Sequence, residues 1–244
     1  MGLLSRVGIG SATVDTILET DRVQPGDAID AHVEIEGGSE EQEVDDLEIG
    51  VATAYQVPTD DDDFTYKTAQ LSETELTDGF TIEPDEQRTL DIPPIEIPET
   101  TPPTIDQTSV WVQTGLDIDW SVDPTDEDHL TVEPGPYTDA LLSAIENLGL
   151  SMEMADNVKS GFGPGQFAQF FEYENYGTAP WSNLDDIEFF VAPRGDHLTV
   201  EVDVESRNTS LLERSEQRTN FRVDSRNADA VESTVRSVID SNVK

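Results

Sequence analysis

Ile29-Asp-Ala-His-Val-Glu-Ile-Glu36 is the stretch on which the fold turns. Ile29, Ala31, Val33 and Ile35 alternate with Asp30, His32, Glu34 and Glu36, so an extended chain puts one set on a core and the other in water. The same period returns in Leu47, Ile49 and Val51, and again in Leu198, Val200, Val202 and Val204 against Thr199, Glu201 and Asp203. Turn signals punctuate the first half at Pro25-Gly26-Asp27, Gly37-Gly38, Asp78-Gly79 and Pro84-Asp85. Short alternating strands between such turns predict an all-β chain of antiparallel sandwiches.

Proline sets the next boundary. Five prolines lie in the run from Ile92 to Thr104. Each lacks the N–H that a central strand donates, so this run is an edge or a crossing between sheets. The chain resumes as a strand at Val110–Ile118, and His129–Val132 closes an N-terminal sandwich over 1–134. Leu141, Ile145 and Leu148 then switch to helical spacing, predicting a connecting helix over 135–150 with Thr138 as N-cap and Gly149 as stop. Strand-like runs at Gln166–Tyr173, Ile187–Val191 and Leu198–Val204 give a C-terminal sandwich over 151–226. Val231, Val235, Val238 and Ile239 share one face of a final helix over 227–244, with Asn227 as its cap.

The chain has 244 residues, with 53 Asp and Glu against 13 Lys and Arg, a net charge of −40. Binding to phosphates or anionic lipid depends on Lys and Arg, so this balance argues against nucleic acid and membrane surfaces as partners. The first 134 residues hold 34 acids and 4 bases, and the remainder 19 acids and 9 bases. Acids scattered through every element, with only three lysines, resemble the surfaces of proteins from halophilic archaea. In molar salt the Debye length falls to about 3 Å and neighbouring carboxylates hardly repel. With no cysteine there is no disulfide, thiolate nucleophile or Cys-ligated metal. The apolar run at the start is too short for a signal peptide, and no segment approaches a membrane span, so a cytoplasmic protein is expected.

Signatures of catalysis are sparse. His32, His129 and His197 have no His-Glu-x-x-His spacing, and there is no Gly-x-Ser-x-Gly elbow. Gly8-Ile-Gly10 and Gly161-Phe-Gly163-Pro-Gly165 begin like nucleotide loops but lack the residues that complete them, and read as turns. No catalytic residue and no cofactor are expected. A hydrolase using His129 ranks third among the functional readings.

Asp60–Asp63 and the group Asp117, Asp119, Asp123, Asp126 and Asp128 supply oxygen ligands suited to calcium, although neither has EF-hand spacing. Asp123, Asp126 and Asp128 are the weak metal candidates, and a calcium- or ligand-binding β-sandwich module is the second reading. Arg214, Arg218, Arg222 and Arg226 recur every four residues and form a basic stripe on either a helix or a strand. They are the interaction candidates, against a plainer reading as guanidinium groups paired with Glu213, Glu216 and Asp224. Phe167, Phe170, Phe171, Tyr173, Tyr176, Trp181, Phe189 and Phe190 read as core, with Phe170-Phe171 and Phe189-Phe190 presenting rings to both sheet faces.

Several of these segments together resemble the sporulation-control protein family. They are Val7-Gly-Ile-Gly-Ser-Ala-Thr-Val-Asp-Thr16, Val23-Gln-Pro-Gly26, Ile35-Glu-Gly-Gly-Ser-Glu-Glu-Gln-Glu43, Thr104-Ile-Asp-Gln-Thr108, Val110-Trp-Val-Gln-Thr-Gly-Leu-Asp-Ile118 and Val122-Asp-Pro-Thr-Asp126. A looser likeness continues around Phe167–Glu174 and Leu198–Arg207, while Asp60–Asp63 and the end from Ala228 depart from the bacterial pattern. The resemblance implies an arrestin-like pair of sandwiches, a cytoplasmic regulatory or scaffolding role, no catalysis, and no site residues to carry over. It leads to the first functional reading, an adaptor that binds protein partners through strand edges or an interdomain groove. By the same analogy, the Asp117–Asp128 loop and the Arg214–Arg226 stripe are candidates for an interdomain ionic latch.

Overall fold

The computed structural model describes residues 11–59, 63–77, 79–118, 123–162, 166–206 and 215–243. Two compact units emerge, one of residues 1–53, 68–101 and 109–133, the other of 54–67, 102–108 and 134–244. Segments 54–67 and 102–108, which the sequence reading places within 1–134, thus pack with the second unit. For the first segment the reason is the length of one strand, Gln42–Pro58, which pairs through Gln56 with Val158 of the second unit's sheet, and the second segment is held there by the Gln107 N–H on Ala155 O and by Gln169 Nε2 on Pro103 O.

Eleven strands are described up to Val132: β1 (Thr13–Leu18), β2 (Arg22–Val23), β3 (Ala28–Ile29), β4 (Ala31–Glu36), β5 (Gln42–Pro58), β6 (Phe64–Thr77), β7 (Phe80–Ile82), β8 (Gln87–Asp91), β9 (Ile95–Glu96), β10 (Val110–Ile118) and β11 (Thr125–Val132). In the first unit, β1, β4 and β8 make one antiparallel sheet, and β5, β10 and β11 make another. Their inward residues meet between the sheets: Val14, Val33 and Ile35 pack with Val44, Leu47, Leu116 and Ile118. A neighbouring cluster gathers Val23, Ile29, Ile49, Val51, Val110, Val112 and Val132. The opening stretch therefore buries Ile29, Val33 and Ile35 as its period requires. The proline run yields only β9, two residues paired with β3, because its remaining residues cannot complete a ladder.

The second unit contains α1 (Pro136–Asn147), β12 (Ser151–Lys159), β13 (Phe167–Glu174), β14 (Leu184–Pro193), β15 (Leu198–Ser206), β16 (Ser215–Val223) and α2 (Ala228–Asn242). The five strands form an antiparallel sheet in sequence order. Phe171, Tyr173, Ile187, Phe189, Val200, Val202 and Val204 face the helices, which contribute Leu141, Ile145, Val231, Val235 and Ile239. Helices, not a second sheet of described strands, cover this apolar face. The helix stripe read from sequence holds for α2, and Asn227 caps it by accepting the Ala230 N–H at 3.0 Å. For α1 the expected Thr138 cap is corrected: Gly135 is the N-cap, Pro136 opens the helix, and Thr138 is buried inside it. Proline's fixed φ suits the first helical position and sets the start earlier. Gly149, at φ +86°, ends the helix as expected and donates its N–H to Glu146 O at 2.9 Å.

Strands β12 and β16 complete the sheet without having been read as strands. β12 breaks register between Met152 and Met154 and buries Asp156 and Asn157, so its sequence shows no clean alternation.

Gly50, buried on β5, marks a close approach: a Cβ placed there would collide with the Ser72 carbonyl oxygen of β6. Gly50→Ala should cost about 1–3 kcal/mol, the scale of overpacking, read as a lower denaturant midpoint with an unchanged slope.

Candidate functional site

The acidic group of the first unit assembles differently from its sequence neighbours. Asp123 turns away and accepts the Ile118 N–H through Oδ1 at 3.2 Å. Asp126 and Asp128 share one face of β11, and Asp15 of β1 joins them in place of Asp123. Asp126 Oδ2 accepts the Thr16 N–H at 2.9 Å, beside a 2.7 Å bond between the Thr16 and Thr114 hydroxyls. Burial, then the Asp126 and Asp15 charges, pushes Asp128 up to about 7, and one of its oxygens is buried without a partner. This is a proton-sharing arrangement, and no three metal-ligating side chains converge among the described residues. Asp60–Asp62 and Asp119 lie outside the described residues. Asp63 closes the β5–β6 turn, accepting the Phe64 N–H at 2.9 Å.

The arginine stripe proves to be a strand feature. Arg218 and Arg222 stand on one face of β16, in register with Asp203 and Thr199 of β15. Arg218 Nε donates to Asp203 Oδ2 at 3.2 Å, and Nη1 lies 3.6 Å from Glu201. Arg222 approaches Asp196 and Asp224 at 3.8 and 4.0 Å. Arg226, beyond the strand, lies over the Tyr137 ring at 5.0 Å. Arg214 falls outside the described residues.

The histidines are dispersed: His32 lies 3.7 Å from Glu34, His129 packs beside Trp111, and His197 meets Asp196 at 2.5 Å. The aromatic set divides between the two sheet faces as its doublets suggested. Phe171 and Phe189 are in the core, while Phe170 and Phe190 pair on the opposite face at 5.3 Å. Trp181 is buried, donates Nε1–H to Asp240 of α2 at 2.7 Å and lies beneath Arg236. Tyr176 is exposed and donates to Glu153 at 2.6 Å.

One polar centre escaped the sequence reading. Asp156, fully buried on β12, accepts the Tyr66 hydroxyl at 2.6 Å and Gln56 Nε2 at 2.7 Å through Oδ2, and the Asn157 N–H at 2.7 Å through Oδ1. Burial and this carboxylate hold the Tyr66 phenol above its usual range. Phe64 packs edge-on against Tyr66 at 5.7 Å, and both rings are largely exposed, at 51% and 44%. The signal was an acid inside Met154-Ala-Asp-Asn157, but it has meaning only once β12 is known to be a strand.

Tyr66→Phe removes one donor from a buried carboxylate and should destabilise the chain by about 1–3 kcal/mol in chemical denaturation. For Asp128 the folded pKa lies above the unfolded one, so the unfolded state binds fewer protons between about pH 4 and 7. Stability from this group falls as pH rises through that window. Asp128→Asn should therefore raise the melting temperature at pH 8, with a much smaller gain at pH 4.

Comparison with known proteins gives one consistent answer. The Spo0M family model, described as SpoOM protein, matches residues 1–208. The sporulation-control protein Spo0M of Bacillus subtilis (strain 168) is 32% identical over 211 residues, covering 86% of this chain and 81% of that protein. The crystal structure of Spo0M from Bacillus subtilis superposes with a TM-score of 0.81 at 28% identity, covering 96% of this chain and 99% of the other. The all-β, arrestin-like architecture expected from the resemblance is thus the observed one. Matched along most of its length in both sequence and fold, the chain is a member of the Spo0M family.

Proposed function

We propose that this protein is a non-enzymatic regulator or scaffold that acts in the cytoplasm by binding other proteins. The observation that carries this reading is the second unit's sheet. Its apolar face is filled by α1 and α2, while Phe190, Glu172, Glu188 and Glu201 on the other face remain partly exposed. Among the described residues, β16 pairs on one side only, with β15. A half-exposed sheet face ending in a strand with one open edge suits main-chain strand addition or face-on docking. The name of the Bacillus relative supports a regulatory role, and the broad scatter of acids supports work in concentrated salt. No helix of the described residues is long and apolar enough to cross a membrane, which is compatible with this reading.

Chemical crosslinking of the full chain in a native high-salt lysate tests it. Discrete adducts with other proteins are expected, and their yield should fall in Asn220→Pro, which removes an N–H from the open edge of β16 while circular dichroism stays native. Intramolecular crosslinks alone would overturn the adaptor reading.

A further inference from the structure

The exposed face of the second sheet is built against ordinary strand chemistry. Arg218, Asp203, Glu188 and Glu172 stand directly opposite one another across β16, β15, β14 and β13. Like charges in opposed cross-strand positions destabilise a sheet, and here three carboxylates follow in one row with a single guanidinium at its end. The next row runs Asn220, Glu201, Phe190, Phe170 and Asp156. Acidic side chains thus surround a pair of phenyl rings, and the Arg218 guanidinium already lies 5.8 Å from the Phe190 ring.

Acids on the surface of so acidic a protein serve by being solvated, but Asp203 is not. Val202 and Val204 are in the core, so Asp203 between them points to the opposite face. Its side chain is nevertheless only 8% exposed. One oxygen takes Arg218, while Oδ1 is buried with no hydrogen-bond partner. Desolvated and half satisfied, a carboxylate in this position calls for a second donor. Glu188 opposite it is about half buried, and burial together with Asp203, Glu172, Asp186 and Glu205 pushes it up to about 7. Arg218 also faces Glu188, at longer range.

We propose that this face, centred on Asp203, Glu188 and Glu172 with Phe170 and Phe190 beside them, docks a basic segment of a partner protein. Its arginine or lysine side chains do for Glu188 and Glu172 what Arg218 does for Asp203. They donate charge-assisted bonds to the carboxylates and rest against the phenyl faces. The inference rests on the adaptor reading and adds to it the chemistry of the partner.

The test is calorimetric titration of the full chain with an extended peptide of alternating arginine and serine. The same peptide with glutamate for arginine, and spermine, serve as comparisons. The arginine peptide should bind, and binding at pH 7 should release about half a proton as Glu188 ionises, seen as a buffer-dependent heat. The E188Q/D203N pair should weaken binding about tenfold, and E172Q/E188Q, which keeps the Asp203–Arg218 pair, should weaken it and abolish the proton release. Glu73→Gln with Glu75→Gln, on β6, should leave binding unchanged. Equal losses in both sets of variants would reduce the effect to general attraction by a polyanion and overturn the proposal. Binding of spermine as tight as the peptide would overturn the protein segment as occupant. Partner crosslinks that survive E188Q/D203N would sink this surface and leave the adaptor reading standing, whereas their absence in the wild-type lysate would remove the adaptor reading itself.

Discussion

Everything in this chain depends on period-two burial of a limited apolar content. Only 35% of its residues are hydrophobic, and the surface is crowded with carboxylates. A core forms because nearly every valine, isoleucine and leucine of the regular strands falls on an inward position. Val200, Val202 and Val204 against Phe171, Ile187 and Phe189 illustrate the economy: six side chains on three strands make one continuous apolar layer. Moving β15 by one residue would bring Glu201 and Asp203 into that layer, so its register is strongly fixed. The helices complete that layer with Leu141, Ile145, Val231, Val235 and Ile239. They supply the covering for a sheet that already has one face to hide.

How much was legible in the sequence follows from the same rule. The first unit's strands announce themselves because their two faces differ sharply, as from Ile29 to Glu36. β12 does not, since its bulge at Met152–Met154 and its buried Asp156 and Asn157 erase the contrast on which pattern reading relies. The arginine spacing fits helix and strand equally, and only pairing with Asp203 decides between them. Candidate sites suffered most. Asp123, Asp126 and Asp128 are close in sequence, but the packing of β1 against β11 from another sheet exchanges Asp123 for Asp15, more than a hundred residues away. Likewise Glu188, Asp203 and Glu172 become a cluster only through cross-strand register, which no single sequence displays.

Carboxylates wholly or partly withdrawn from water recur as the chain's internal electrostatic theme, with three different solutions. Asp156 is satisfied by a phenol, an amide and a backbone N–H. Asp128 sits beside like charges and holds its proton into the neutral range. Asp203 borrows one guanidinium and leaves an oxygen unserved. These differ from the many solvated acids around them, because desolvation makes each hydrogen bond matter more and each missing one costlier. In a protein so rich in acid, burial rather than number separates a working carboxylate from a solubilising one.

The indole of Trp181 links the last helix to its sheet through Asp240 below one edge and Arg236 above the ring. An indole held in this way carries an optical signature of its surroundings, so the attachment of the C-terminal helix is written into the protein's own fluorescence. With Trp111 and Trp120 replaced by phenylalanine, a red-shifted emission that precedes loss of the β signal on gentle unfolding would mark the peeling away of that helix as a separate, earlier event, visible without any added label.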